Sequence, residues 1–158
     1  MANFVPAFDL LIGNEGGYVD NPSDPGGATR YGVTQRVARA HGYTGDMRDL
    51  PLEVAREIAK RMYWDPLRCD QYAQQVAFDL FDANYNGGHV VLWMQQAAKV
   101  KADGIIGPQT IQAVSECNPD AFRRRFAAAR LNYFSSLSTW STFGRGWARR
   151  VASNLLKE

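Results

Sequence analysis

The chain has 158 residues, of which 46% are apolar and 22% charged, with a formal net charge of +2. That suits one domain, or one domain with a C-terminal subdomain, with a core large enough to fold without staples, and it excludes a disordered chain or a disulfide framework. Cys69 and Cys117 match no metal spacing, no run approaches the ~20 apolar residues of a membrane span, and MANFVPAFDLLIGNEGG lacks the basic start of a secretory signal, so a soluble chain made in the cytoplasm is expected.

Residues 4–15 read as a helix, because Phe4, Phe8, Leu11 and Ile12 fall on one stripe and Gly16-Gly17 follows as a stop. Residues 18–33 read as irregular or hairpin-like, punctuated by Asn21-Pro22, Asp24-Pro25 and Gly26-Gly27. Thr34 is placed to cap a short helix reaching about Ala40. A helix over 50–63 follows, with Asp49 as its expected cap and Pro51 in its first turn, and another over 72–85 stops at Gly87-Gly88. Residues 89–100 form the next helix, KADGIIG (101–107) a turn, and Pro108 opens a short helix to about Val114. Asn118-Pro119 resets the chain before helices over 120–137 and 144–157. The fold class is mainly α with a small irregular or β patch after the first helix. The chain divides softly near 88 or 102. Trp64 and Trp93 read as core, Trp140 and Trp147 as more exposed.

Charge is unevenly spread. Residues 1–120 carry 10 Lys and Arg against 15 Asp and Glu, whereas 121–157 carry seven Arg and Lys157 with no acid. A basic C-terminal third suits an anionic partner such as cell wall or anionic outer-membrane lipids, or is a solvated helix face. Nucleic acid is not expected. Arg123, Arg124 and Arg125 are consecutive and must point around a helix rather than along one face.

The densest chemistry lies between Glu15 and Thr34. A carboxylate at a helix C-terminus meets the negative end of the macrodipole, which favours its protonated form, and partial burial acts in the same direction. A general acid for glycosidic cleavage needs that retained proton. Two further carboxylates, Asp20 and Asp24, lie within nine residues, and glycoside hydrolysis commonly uses a pair. Turn formation explains both aspartates as well. Tyr18 and Tyr31 are suited to stacking on sugar rings or to core packing. Asn84 and Asn86, before Gly87-Gly88, are suited to lining a groove, and Asn86 equally to capping its helix. His41 and His89 stand far apart with no third ligand nearby, so no metal or cofactor is expected. No G-x-S-x-G, H-E-x-x-H, phosphate-binding loop or Cys–His signature occurs, which argues against peptidase, amidase and nucleotide-dependent chemistry.

The segment NEGGYVDNPSDPGGATRYGVTQ (14–35) resembles the opening of glycoside hydrolase family 108, the phage endolysins and related secretion-activator muramidases. The resemblance continues through IAKRMYWDP (58–66) and ANYNGG (83–88). DGIIGPQT (103–110) and FGRGWARRV (143–151) look like that family's C-terminal peptidoglycan-binding portion. The resemblance implies a lysozyme-like fold, a catalytic region over 1–88 and a helical C-terminal region over 89–158 that together form one unit. It implies peptidoglycan as substrate, cleaved between N-acetylmuramic acid and N-acetylglucosamine with Glu15 as catalytic acid. With no secretory signal read in the sequence, action at the cell wall after holin-type release is expected, and a monomer is expected as well.

Bacteriophage-group lysozymes add an Asp and a Thr. Eight residues separate Glu15 from Asp24, which fits that pattern, but four separate Asp24 from Thr29 and nine separate it from Thr34, which does not. Asp24 is thus a candidate second carboxylate or a loop support, and Thr29 or Thr34 a candidate for positioning water. Tyr18, Asp20, Tyr31 and Thr34 join Asn84 and Asn86 as candidate substrate contacts. A lytic transglycosylase with a lone acid, and a catalytically silent wall-binding or secretion-assisting protein, are the competing functions.

Overall fold

In a computed structural model the described residues are 1–13, 17–23 and 25–157. They fall into two compact units, one from Asn3 to Pro66 and one from Leu67 onward that includes Met1 and Ala2.

The first unit begins with α1, Phe4–Ile12. Asn3 caps it, its side chain accepting from the Val5 N–H at 3.1 Å. The buried stripe is Phe4, Ala7 and Phe8, with Phe4 set edge-on to Trp64 at 5.5 Å. The helix ends at Ile12, earlier than the expected stop at Gly16-Gly17. Gly13 takes φ +53° and its N–H closes on the Asp9 carbonyl at 3.0 Å. That left-handed turn costs a glycine almost nothing, so the first glycine ends the helix and the later pair is not needed.

Three short strands follow: β1 Tyr18–Val19, β2 Thr29–Arg30 and β3 Val33–Thr34. They form an antiparallel sheet in that order, with Val19 opposite Thr29 and Thr29 opposite Thr34. β2 and β3 are joined by the two-residue loop Tyr31-Gly32, both at positive φ (48° and 72°). These are the signs of a type I′ turn, whose twist matches that of a hairpin.

Helix α2, Gln35–Ala40, starts where expected. The Thr34 hydroxyl oxygen accepts from the Val37 N–H at 3.3 Å. The next helix departs from expectation at its start. Asp49 closes a 3-10 turn, Met47–Asp49, capped by Asp46, and α3 is Leu52–Ala59 with Pro51 at its cap position. Proline has no N–H and a φ already set for a helix start, so it serves there without a capping side chain. The chain then widens into a π turn, Lys60–Trp64, that ends with Trp64 buried.

The second unit is built on α4, Gln74–Asn86, in which every residue from Val76 to Ala83 is buried. A helix buried all round must be covered on all sides. The cover comes from α5 Val90–Ala97 and α7 Pro119–Ser136, with α6 Pro108–Glu116 against α5, and α8 Trp140–Leu155 tied to α4 by hydrogen bonds from Arg150 and Asn154 to Asp82. Helix α8 starts four residues earlier than expected, so Trp140 opens it. Asn118 caps α7 through the Ala121 N–H at 3.0 Å. The core is aromatic. Phe122 stacks on Phe126 at 5.8 Å, and Trp93 meets Phe126 and Phe134 edge-on. Trp147 and Trp140 are half-buried, and Trp147 stacks on Phe134 at 4.9 Å. Among the described residues no helix is long and apolar enough to cross a membrane.

The basic C-terminal third is not simply a solvated face. Two buried aspartates of α4 draw its arginines inward. Arg123 donates through Nε to Asp79 at 2.8 Å and through Nη2 to the Asn154 carbonyl at 2.6 Å. Asp82 accepts from Arg130, from Arg150 twice and from Asn154. Arg125 donates to the Ala97 carbonyl and to the Cys117 sulfur. Arg124, Arg145 and Arg149 remain exposed.

The two aspartates differ. Asp82 is surrounded by donors, whereas Asp79 Oδ1 is buried with no hydrogen-bond partner among the described residues. Burial pushes the Asp79 carboxyl up to about 6, against the pull of Arg123. The folded state then holds this proton more tightly than the unfolded chain. The resulting stability is fully present below the ordinary carboxylate range and is lost as pH rises through about 6. Between pH 5 and pH 7 the wild type should therefore lose about 1 kcal/mol of unfolding free energy relative to Asp79→Asn. Urea unfolding of both proteins at the two pH values measures this, and parallel pH slopes would refute it.

Candidate active site

Glu15 and Asp24, the two candidate catalytic carboxylates, lie outside the described residues. The frame that flanks them in the first unit is described. Residues directly opposite across an antiparallel pair share a face. Val19, Thr29 and Thr34 therefore line one face of the small sheet, which brings the two candidate water-positioning hydroxyls together. They are not equivalent. The Thr34 oxygen is engaged in capping α2, so Thr29 is the hydroxyl with no helix to cap.

Tyr18 donates its hydroxyl to Asp20 Oδ2 at 3.3 Å, and the Arg48 guanidinium lies over its ring at 5.0 Å. Tyr18 of the edge strand and Asp20 just beyond it are thus a linked pair. Tyr31 stands at the hairpin tip, half-buried, with Arg30 over its ring at 5.1 Å. Its φ of +48° is one that a tyrosine adopts at a cost of about 1–3 kcal/mol, and such strain concentrates at functional sites. Asparagine tolerates this conformation. Tyr31→Asn should therefore hold or raise the melting temperature while lowering hydrolysis of peptidoglycan about 3–10-fold, the worth of one aromatic stacking contact. Unaltered turnover in a folded Tyr31→Asn protein would assign Tyr31 to packing alone.

In the second unit, Asn86 donates its side-chain amide to the Asp82 carbonyl at 2.6 Å, tying off the last turn of α4. It is exposed all the same, and Asn84, two residues earlier, is half-buried. Asp103 fixes the DGIIGPQT turn as expected, accepting from the Ile105 N–H at 3.0 Å. Its carboxyl is held below the ordinary range by that bond and by Gln95. Sequence reasoning passed over Gln95. Its amide is buried on α5, accepts from the Gly104 N–H, and donates to Asp103, to the Ile105 carbonyl and to Thr110. A lone polar residue in an otherwise apolar helix stripe is the signal that could have found it. No group of His, Cys, Asp and Glu among the described residues could hold a metal ion.

A helical body with a small antiparallel sheet after the first helix defines a mainly α, lysozyme-like protein. The glycosyl hydrolase 108 model matches residues 8–88, and a predicted peptidoglycan domain matches residues 89–152. The chain belongs to the glycosyl hydrolase 108 family, with a peptidoglycan-binding domain in its C-terminal part. The solved structure of SagA from Brucella abortus is similar, with 32% identity over 96% of this chain and 91% of that one and a TM-score of 0.81. No curated protein matches the chain. These findings support a muramidase-type function on peptidoglycan.

Proposed function

We propose that the protein is a peptidoglycan hydrolase that cleaves the β-1,4 bond between N-acetylmuramic acid and N-acetylglucosamine, with Glu15 as general acid. One observation carries the reading: a glycoside hydrolase segment that contains Glu15 and a peptidoglycan domain adjoin in one chain. Glu15 gives its proton to the glycosidic oxygen as the bond from that oxygen to C1 breaks. Positive charge develops at C1 and the ring oxygen. A water attacks C1, and its proton passes to Asp24 or back to the Glu15 carboxylate. Thr29, whose hydroxyl has no helix to cap, holds that water in this reading, and the Tyr18–Asp20 pair and Tyr31 contact the sugars.

Digestion of purified peptidoglycan followed by mass spectrometry of the released muropeptides tests this. Fragments ending in reducing N-acetylmuramic acid are expected. Anhydromuramic ends would mean that the sugar's own C6 hydroxyl replaces water, as in a lytic transglycosylase. Binding to the polymer without release of fragments would leave a wall-binding protein.

A further inference from the structure

The second unit contains a cavity of about 250 Å³ beside the C-terminal end of α4. Part of its lining is aromatic, from Tyr133 and Phe134 of α7 and Trp147 of α8, with Leu137 just beyond α7. Two arginines, Arg130 and Arg150, line it as well. Both are tied to Asp82, at 3.4 Å and 2.8 Å. Behind them Arg123 pairs with Asp79. Three guanidinium groups thus face two carboxylates, and one positive charge is unmatched within the cluster.

The two lining arginines differ in access. Arg130 is 3% exposed, and its Nε has no hydrogen-bond partner among the described residues. The Arg150 side chain is 40% exposed although Asp82 anchors it twice. Arg150 is therefore a cation held in fixed orientation at the mouth of a partly apolar cavity. A fixed guanidinium beside an apolar wall is suited to an anion of carboxylate shape that carries an aliphatic neighbour. The N-acetylated sugar rings of a glycan strand are neutral, whereas the free carboxylates of peptidoglycan lie on its stem peptides.

We propose that this cavity binds a carboxylate of the peptidoglycan stem peptide, with Arg150 and Arg130 taking the charge and the Tyr133–Trp147 wall taking the adjoining alkyl side chain. The inference rests on peptidoglycan being the substrate and adds which part of the polymer the C-terminal part reads.

The test uses the full chain and a soluble probe, the tetrapeptide L-alanyl-γ-D-glutamyl-L-lysyl-D-alanine, as the free acid and with its carboxylates amidated. Binding is followed by the NMR signal of the Trp147 indole N–H, assigned with Trp147→Phe. The free acid should bind at least about tenfold more tightly than the amide. Replacing Arg150 risks the fold through Asp82, so the informative variant is Leu137→Glu. It sets a like charge at the rim of the cavity and leaves the Asp82 cluster intact. It should weaken the free acid at least about tenfold with an unchanged melting curve. Equal binding of acid and amide overturns the proposal, as does selective binding that Leu137→Glu retains. Peptidoglycan hydrolysis by the wild type is scored separately. Hydrolysis without acid selectivity removes the subsite alone, and acid selectivity without hydrolysis removes the catalytic reading alone.

Discussion

Replacing Glu15 by glutamine should lower hydrolysis of peptidoglycan about 10²–10⁴-fold while leaving retention on the insoluble polymer close to that of the wild type. The amide keeps the size of the carboxylic acid but has no proton to give the leaving oxygen. That loss corresponds to about 3–5 kcal/mol of transition-state stabilisation, which ground-state binding would not register. Release of reducing sugar and a pull-down on purified walls give the two numbers. Equal activity in both proteins would remove Glu15 from its role. The same assay on Asp24→Asn separates the two parts open to Asp24. A second catalytic carboxylate predicts a comparable loss with an unchanged melting temperature, and a loop support predicts a lower melting temperature with most of the activity kept.

The largest effect on stability should come from Asp82→Ala, about 3–5 kcal/mol. Asp82 receives Arg150 at 2.8 and 2.9 Å, Asn154 at 2.7 Å and Arg130 at 3.4 Å, so α4, α7 and α8 all meet at one carboxylate. Its removal leaves Arg130 charged and buried with no counter-ion from Asp82. Against a total stability of about 5–15 kcal/mol, that loss brings many domains near unfolding. Asp9→Ala is the control. It breaks the Arg56–Asp9 pair, also 2.8 Å long, but Asp9 is 53% exposed there and Arg56 keeps Glu53, so less than about 1 kcal/mol is expected. Urea midpoints order the two variants. A loss at Asp82 no larger than that at Asp9 would show the cluster to be energetically neutral.

The elements governed by near neighbours were legible in the sequence. Thr34 caps the helix it was expected to cap, and Gly87-Gly88 ends α4 where a stop was read. A cap is a hydrogen bond between residues two or three apart, so a short string carries all of its information. Where two local signals competed, the string alone did not rank them. Gly13 ended α1 ahead of Gly16-Gly17, and Pro51 displaced Asp49 at the start of α3. The motif around Glu15, read as a resemblance, led to the family that the comparisons then showed.

The sequence by itself therefore determined the helical class, some of the caps and stops, and, through its motifs, the family and the polymer on which the family acts. The fate of the arginines was decided only by tertiary structure. Arg123, Arg130 and Arg150 bind aspartates 44, 48 and 68 residues away in the chain. No periodicity or spacing rule reports a partner at that distance. Composition showed a basic C-terminal third, and packing turned three of its charges inward, leaving two of them on the wall of a cavity. The reason is energetic. A charge taken from water must find its counter-charge, and which counter-charge lies within reach is settled only when the helices pack.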